Sequence, residues 1–511
     1  MLRALGYERR GHYQTFAQEL AETCRTGGDL SSVSLPEEGE ILSSPIFPNV
    51  DGVKFLVHGL GCGETRGISN ELCGLLAGYA NHPNVAGVTI LSLGCQHAQV
   101  SILEEEIAKR NPSFDKPLLV YEQQKYPSER EMLNRAITET FVGMAGANEM
   151  QRVPSPLSHL CAGMECGGSD GFSGISANPV IGHCADLLVA LGGSVILSEF
   201  PELCGVEQDL CDRCETDGLA TRFAGLMKSY NARAEAHGSG FRENPSPGNI
   251  RDGLITDAMK SAGAAKKGGD SPVVEVLDYT ETATRPGLAL LCSPGNDVES
   301  TTALVGSGAN LVIFTTGLGT PTGNPVAPVL KVSSNSEMAQ RLPDIIDFDA
   351  GPIIRGEAQI AEFSQAPDQA GVSVGIGEVA AMIGKIGGKG VPPGVVHLLR
   401  AGISLDAGTH LGAPACVGFF ATREADDSKR LRHLPLEVEV IQRGDQLARR
   451  QVAARAEDDN RARFVRLAAV LQACKGNRFL RIHHWKSREP GRQKNGGWTR
   501  NRTGDTRIFN P

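Results

Sequence analysis

Aromatic residues are scarce, with 2 Trp, 7 Tyr and 17 Phe among 511 residues, or 5% of the chain. That argues against a surface built to stack successive bases of single-stranded nucleic acid. Long apolar runs are missing as well: no stretch reaches the roughly 18 residues that a membrane helix needs. The opening Met-Leu-Arg-Ala-Leu-Gly-Tyr-Glu-Arg-Arg has no apolar core of a secretory signal. The 61 glycines follow no Gly-X-Y period, which excludes a collagen-like chain. The 13 cysteines are odd in number and scattered, so reduced thiols are expected rather than a disulfide framework. The expectation is a cytoplasmic protein with no membrane and no nucleic-acid partner.

Composition is otherwise that of a globular chain, 41% hydrophobic and 21% charged with net charge −9. The charge is unevenly placed. Residues 423–511 hold 21 Lys and Arg against 11 Asp and Glu, and both tryptophans, Trp485 and Trp498. Two compositions are joined in one chain.

Short β-branched and apolar runs alternate with helical patterns: Phe55 to His58, Val88 to Leu93, Leu118 to Tyr121, Ser194 to Leu197, Leu288 to Cys292 and Leu311 to Thr315. This alternation gives parallel sheets with crossover helices. The spacing therefore predicts two α/β units, one over residues 1–154 and one over 155–363, followed by a poorly structured tail over 364–511. The residues from Pro201 through Tyr230 read as helical, and Asn178-Pro179 as a helix cap and first turn. Several strands run straight into glycine-rich turns, namely Gly59 to Gly63, Gly94-Cys95, Gly167 to Asp170 and Gly317 to Thr320. Ligands of α/β sheets bind at the carboxyl ends of strands, so the chemistry is sought in these turns.

Three groups of residues stand out there. His58 with Cys62, and Cys95 with His97, place soft ligands beside an imidazole, a set suited to Fe(II), Mn(II) or Zn(II). The segment from Cys166 through Ser169, Asp170, Ser173, Ser176 and Asn178 offers hydroxyls and amides around flexible glycines ahead of a helix, which suits a polyhydroxylated anion. Ser198-Glu199-Phe-Pro-Glu202 ends another strand with two carboxylates, either of them a base or a ligand. Cys211-x-x-Cys214 has no second pair and reads as structural. Lys260, Lys266, Lys267, Thr315, Thr316 and Asp347-Phe-Asp349 are further polar groups to which spacing alone gives no role.

In these motifs the chain resembles the altronate and galactarate dehydratase family of sugar-acid dehydratases. The similarity runs from Phe47-Pro-Asn-Val-Asp-Gly and Gly61-Cys62-Gly63 through Asn81-His-Pro-Asn-Val-Ala-Gly-Val, Leu93-Gly-Cys95 and Cys166-Gly-Gly-Ser-Asp-Gly-Phe-Ser-Gly. It continues to Ser198-Glu199, Ser246-Pro-Gly-Asn249, Gly269-Asp-Ser-Pro272, Phe314-Thr-Thr-Gly317 and Asp347-Phe-Asp-Ala-Gly351. The resemblance implies loss of water from a hexonate, D-altronate giving 2-keto-3-deoxy-D-gluconate, with Fe(II) or Mn(II). It places His58, Cys62, Cys95 and Cys166 around the metal. His58, Glu199 and Asp170 become the acid, base or ligand groups, with Ser169, Ser173, Asn178, Thr315 and Thr316 on the substrate. Galactarate or another aldarate is the alternative substrate. An inactive truncated relative and a basic-tailed binding protein are the alternatives of other classes. A small sugar acid is the expected partner, with room for a homo-oligomer.

The likeness ends near residue 363. The small β-clip domain and the Gly-Arg-x-Gly-x-Arg-Asn-Tyr segment that open family members are not seen. The ending Gly496-Gly-Trp-Thr-Arg-Asn-Arg-Thr-Gly-Asp-Thr-Arg-Ile-Phe-Asn resembles a transfer RNA gene translated from the wrong strand. A shifted reading frame after about Ala366 is the expectation.

Overall fold

The structure is a computed structural model that describes residues 12–36, 45–150 and 154–360 and the short strands Arg9–Arg10, Glu40–Ile41 and Cys416–Gly418. The expected unstructured tail lies outside the described residues, except that Cys416–Gly418 pairs antiparallel with Pro154–Pro156.

The first unit contains helices α1 (His12–Thr26), α2 (Arg66–Asn81), α3 (Val100–Arg110) and α4 (Glu129–Asn148) and the parallel strand pair β1 (Val88–Ser92) and β2 (Leu118–Glu122). Caps fix the helix starts, since Thr65 and Ser128 each accept a backbone N–H of the first turn. Phe55 to His58, expected as a strand, is not one. Its Val-Lys-Phe-Leu-Val pattern suits a pleat, but among the described residues no strand edge pairs with it, and Phe55 and Val57 stay exposed.

The second unit is a seven-stranded sheet. Its strands are β3 (Cys161–Cys166), β4 (Ser194–Leu197), β5 (Val273–Leu277), β6 (Gly287–Leu291), β7 (Leu311–Thr316), β8 (Val329–Ser333) and β9 (Phe348–Asp349). Their order is β9-β8-β7-β3-β4-β6-β5, with every pairing parallel. Helices cover both faces, among them α5 (Ala177–Ala190), α6 (Asp217–Ala236), α7 (Asp257–Ala265) and α8 (Asp297–Gly306).

Alternate residues of each strand feed two cores, as a sheet covered on both sides requires. Met164, Val195, Leu197, Leu290, Ile313 and Val332 pack with Ile181 and Phe223 on one face. Ile196, Leu291, Val312, Phe314 and Val329 pack with Leu304 on the other, joined by Tyr79 from the first unit. The region read as one helix from Pro201 to Tyr230 is broken. A single turn at Phe200–Leu203 and a short helix at Glu207–Asp212 precede α6.

The chain leaves β3 towards β4 and later returns to its other side as β7. That reversal opens a crevice at the carboxyl ends of β3, β4 and β7. The two units meet where α2 crosses α8. A Cβ on Gly78 would overlap the carbonyl oxygen of Gly306, and one on Gly74 would lie 2.6 Å from Thr280 Oγ1. Glycine at Gly78 is thus a condition of that close approach.

Candidate functional site

The crevice holds a buried cluster of ionisable side chains. Cys166 is the last residue of β3, and Glu199 follows β4 by two residues. The backbone of Glu199 is left-handed, φ 68° and ψ 59°. A non-glycine residue there is strained, and the bend turns the carboxylate back over the sheet end. The next helical turn, Phe200–Leu203 with Pro201 as its second residue, brings Glu202 alongside.

Lys267 arrives from a turn that follows α7. Asp186 on α5 holds that turn, accepting from Asp270 N at 2.9 Å, Ser271 N at 2.8 Å and Ser271 Oγ at 2.6 Å. Gly182 lets the turn lie on the helix, because a Cβ there would overlap the Lys266 carbonyl oxygen.

Lys267 is fully buried and donates to Glu199 Oε2 at 2.6 Å and Cys166 Sγ at 2.9 Å. Cys166 Sγ also lies 3.0 Å from Glu202 Oε2, and Cys166 N donates to Glu199 Oε2 at 3.2 Å. Lys260 on α7 pairs with Glu202 Oε1 at 2.8 Å and donates to Asn244 and Asn249.

The two carboxyls are driven apart. Burial first, and then the charge of Glu202, push Glu199 up to about 7 against the pull of Lys267. Burial also favours protonation of Glu202, but Lys260 and Lys267 together outweigh it and hold Glu202 below the usual carboxylate range. Burial, Glu199 and Glu202 raise the Cys166 thiol well above its ordinary value. A proton-holding carboxyl beside an ionised one is the division of labour that acid–base sites use.

Ligand atoms of Cys166, Glu199 and Glu202 lie within 4.8 Å of one another, the one such group of His, Cys, Asp and Glu found among the described residues. A thiol and two carboxyls fit a divalent first-row metal ion. Sequence reasoning had Cys166 and Glu199 in view and gave Glu202 no more than an alternative place. It gave Lys260 and Lys267 no role, because both reach the site from about a hundred residues downstream of Cys166.

The other expected residues are placed elsewhere. His58, Cys62 and Cys95 are exposed in the first unit, and the structure does not gather them with Cys166. His58 Nδ1 lies 2.9 Å from the carbonyl of Leu60 in its own loop. Asp170 is a buried hub. Its Oδ1 accepts from Ser173 N at 2.9 Å, Ser173 Oγ at 2.8 Å and Ser334 Oγ at 2.8 Å, and its Oδ2 accepts from Asn335 Nδ2 at 2.9 Å.

Ser169 is tied by its carbonyl to Asn249 Nδ2 at 2.9 Å. Thr316 Oγ1 accepts from Gly319 N and Thr320 N. Asn178 does not cap α5; Ser176 holds that position, and Asn178 turns inward. There it donates to Gly263 O at 3.0 Å and accepts from Thr315 Oγ1 at 2.6 Å. These hydroxyls and amides brace the loops that form the rim of the crevice.

Fold and site define an α/β protein with a buried cluster of ionisable side chains at a topological switch point. "D-galactarate dehydratase/Altronate hydrolase, second domain" matches residues 11–148, and "D-galactarate/Altronate dehydratase, C-terminal" matches residues 157–384. The chain belongs to the D-galactarate/altronate dehydratase family. It is 38% identical over 308 residues to altronate dehydratase of Escherichia coli, which is 60% of this chain and 61% of that protein. Altronate dehydratase of Bacillus subtilis is 38% identical over 301 residues, 59% of each chain. Galactarate dehydratase (L-threo-forming) of Escherichia coli is 34% identical over 284 residues, 55% of this chain and 54% of that one. The chain thus spans about three-fifths of the altronate dehydratases it matches.

Proposed function

We propose that the chain is a cytoplasmic hydro-lyase that removes water from a sugar acid, D-altronate, to give 2-keto-3-deoxy-D-gluconate. The observation that carries this reading is the pairing of a proton-holding Glu199 with an ionised Glu202 around Cys166, flanked by the buried Lys267 and the half-buried Lys260.

Dehydration needs a base for the proton on C2, compensation for charge on the resulting enediolate, and a proton for the departing C3 hydroxyl. The C2–H electrons form the C2–C3 double bond as the C3–O bond breaks; the hydroxyl leaves as water, and the enol becomes the 2-keto acid. Glu199, poised at about 7, accepts or returns a proton at its carboxyl oxygens near neutral pH. Lys260 and Lys267 supply fixed positive charge where the enediolate develops, in a largely buried site. A divalent ion held by Cys166, Glu199 and Glu202, Fe(II) or Mn(II), would add Lewis-acid stabilisation of the same charge.

The test is keto-acid formation by the full chain, reconstituted anaerobically with Fe(II) or Mn(II), from D-altronate and galactarate in parallel. Turnover of D-altronate is expected. Turnover of galactarate alone reassigns the substrate, and none with either acid from folded, metal-loaded protein overturns the reading.

A further inference from the structure

The crevice has a second wall. Successive residues of a strand face opposite ways, and Ser300 of α8 donates to Glu165 Oε2 at 2.6 Å, so Glu165 faces α8 and Cys166 faces away from it. The cluster around Cys166 therefore lies on one side of the end of β3, and α8 starts on the other. The first residue of that helix is Asp297. A Cβ on Gly167 would overlap its Oδ2 and lie 2.6 Å from its Oδ1, so the carboxyl group rests on the residue that follows Cys166. Gly167 is held under it by donating its N–H to Thr315 O of β7 at 3.1 Å.

The start of α8 does not depend on this carboxyl group. Asn296 is the cap, and its side chain accepts from Val298 N at 3.2 Å. Among the described residues Asp297 makes no ion pair, and its carboxyl group has no hydrogen-bond partner beyond its own backbone N–H. Glu202, Lys331 and Lys260 act on it through their charges without pairing with it. The side chain is half-buried, so it is turned into the crevice without being sealed off.

Such a group suits a hydroxyl of a polyol acid. A carboxyl group accepts from a hydroxyl when ionised and can also donate to one when protonated, so the bond does not depend on which form is present. A site that bonds a substrate hydroxyl also rejects an acid that lacks it, because the carboxyl group is then left unpaired.

We propose that Asp297 is a substrate-binding residue: across the end of β3 from Cys166 it holds a hydroxyl of the sugar acid, and so fixes how the chain of the acid lies over the cluster. This rests on the sugar-acid reading given above, so the test has one arm that needs no turnover.

The first arm is kinetic, on the full chain reconstituted with Mn(II). Asp297→Ala is expected to raise KM for D-altronate about tenfold or more with kcat within about threefold, as loss of binding shared by ground and transition states requires. Asp297→Asn keeps an acceptor and gains donors, and is expected to hold KM within about threefold of the parent. Metal content is expected to be the same in all three. A side chain that served only the start of α8 would lower the melting temperature of Asp297→Ala and leave KM unchanged. That result overturns the proposal, as do an Asn variant no better than the Ala variant and a loss of metal from either. The second arm is calorimetric titration of the same metal-loaded chains with D-altronate. If the parent turns over neither acid, the hydro-lyase reading fails, while binding that weakens about tenfold or more in Asp297→Ala still supports this role. Equal binding by both chains, or none by the parent, overturns it.

Discussion

Lys267 Nζ stands 2.6 Å from Glu199 Oε2, and neither side chain is more than 1% exposed. Two charges so deep hold each other ionised or exchange a proton, and removing one strands the other.

Lys267→Met is therefore expected to lower activity by about a hundredfold or more and to cost about 3 kcal/mol of stability. Lys267→Arg should recover part of the stability and little of the activity, because the larger guanidinium does not fit the contact with Cys166. Steady-state kinetics and urea melts read the two effects separately; equal activity in Lys267→Met and the parent would remove this lysine from the reaction.

Metal content distinguishes the two ligand sets. Cys166→Ser and Glu202→Gln are expected to lose bound Fe(II) or Mn(II) on dialysis, while Cys62→Ser and Cys95→Ser keep it. Elemental analysis with a folding check by circular dichroism measures this directly. Loss confined to the Cys62 and Cys95 variants would move the metal into the first unit.

A third expectation concerns acid. His82 is 2% exposed, its Nε2 lies 3.0 Å from Ala309 O, and its Nδ1 accepts from Asn84 N at 3.1 Å. Burial, aided by Lys116 and opposed by the Ala309 contact, drives the imidazole down to about 4. The folded state thus refuses a proton that the unfolded chain accepts below about 6.5. Stability from this group is present above 6.5 and is lost as pH falls towards 4, by about 3 kcal/mol at most. Melting curves of wild type and His82→Gln at pH 7 and pH 4.5 should converge at the lower pH. Parallel curves would show that the ring titrates normally.

Gly78→Ala is the variant expected to loosen the crossing of the two units. The added methyl meets backbone at Gly306, which cannot swing aside as a side chain can. A melting temperature several degrees lower, with faster amide exchange in α2 and α8 than in β6, is the expected signature. Unchanged exchange in both helices would contradict the contact.

Much of this architecture is legible in the sequence as short apolar runs. β1, β2, β4, β6 and β7 all announce themselves in that way, and β1 and β7 run on into Gly94 and Gly317. The strands not named there are short or carry a charged residue: Glu165 interrupts Cys161–Cys166, Glu275 interrupts Val273–Leu277 and Lys331 interrupts Val329–Ser333, so none of the three reads as an apolar run, and Phe348–Asp349 is only 2 residues long. Phe55 to His58 shows the reverse error, since a good strand pattern forms no ladder without a partner edge. In the site, Cys166 and Glu199 could be found because each ends a strand. Lys260 and Lys267 could not, since only the packing of α7 and its turn against α5 delivers them. Asn178 looked like a cap by its place before Pro179, and it faces inward because Gly263 and Thr315 satisfy its amide.

The pair of glycines on α2 carries a mechanical meaning. Gly74 rests on the Thr280 side chain and Gly78 on the backbone of Gly306, so the helix lies close against the larger sheet unit at two points one turn apart, with Leu75 and Tyr79 packed beside them. A rocking or sliding motion about that helix would have to break both contacts together. The first unit is then seated on the larger one as a wall, and not hung from it as a jaw.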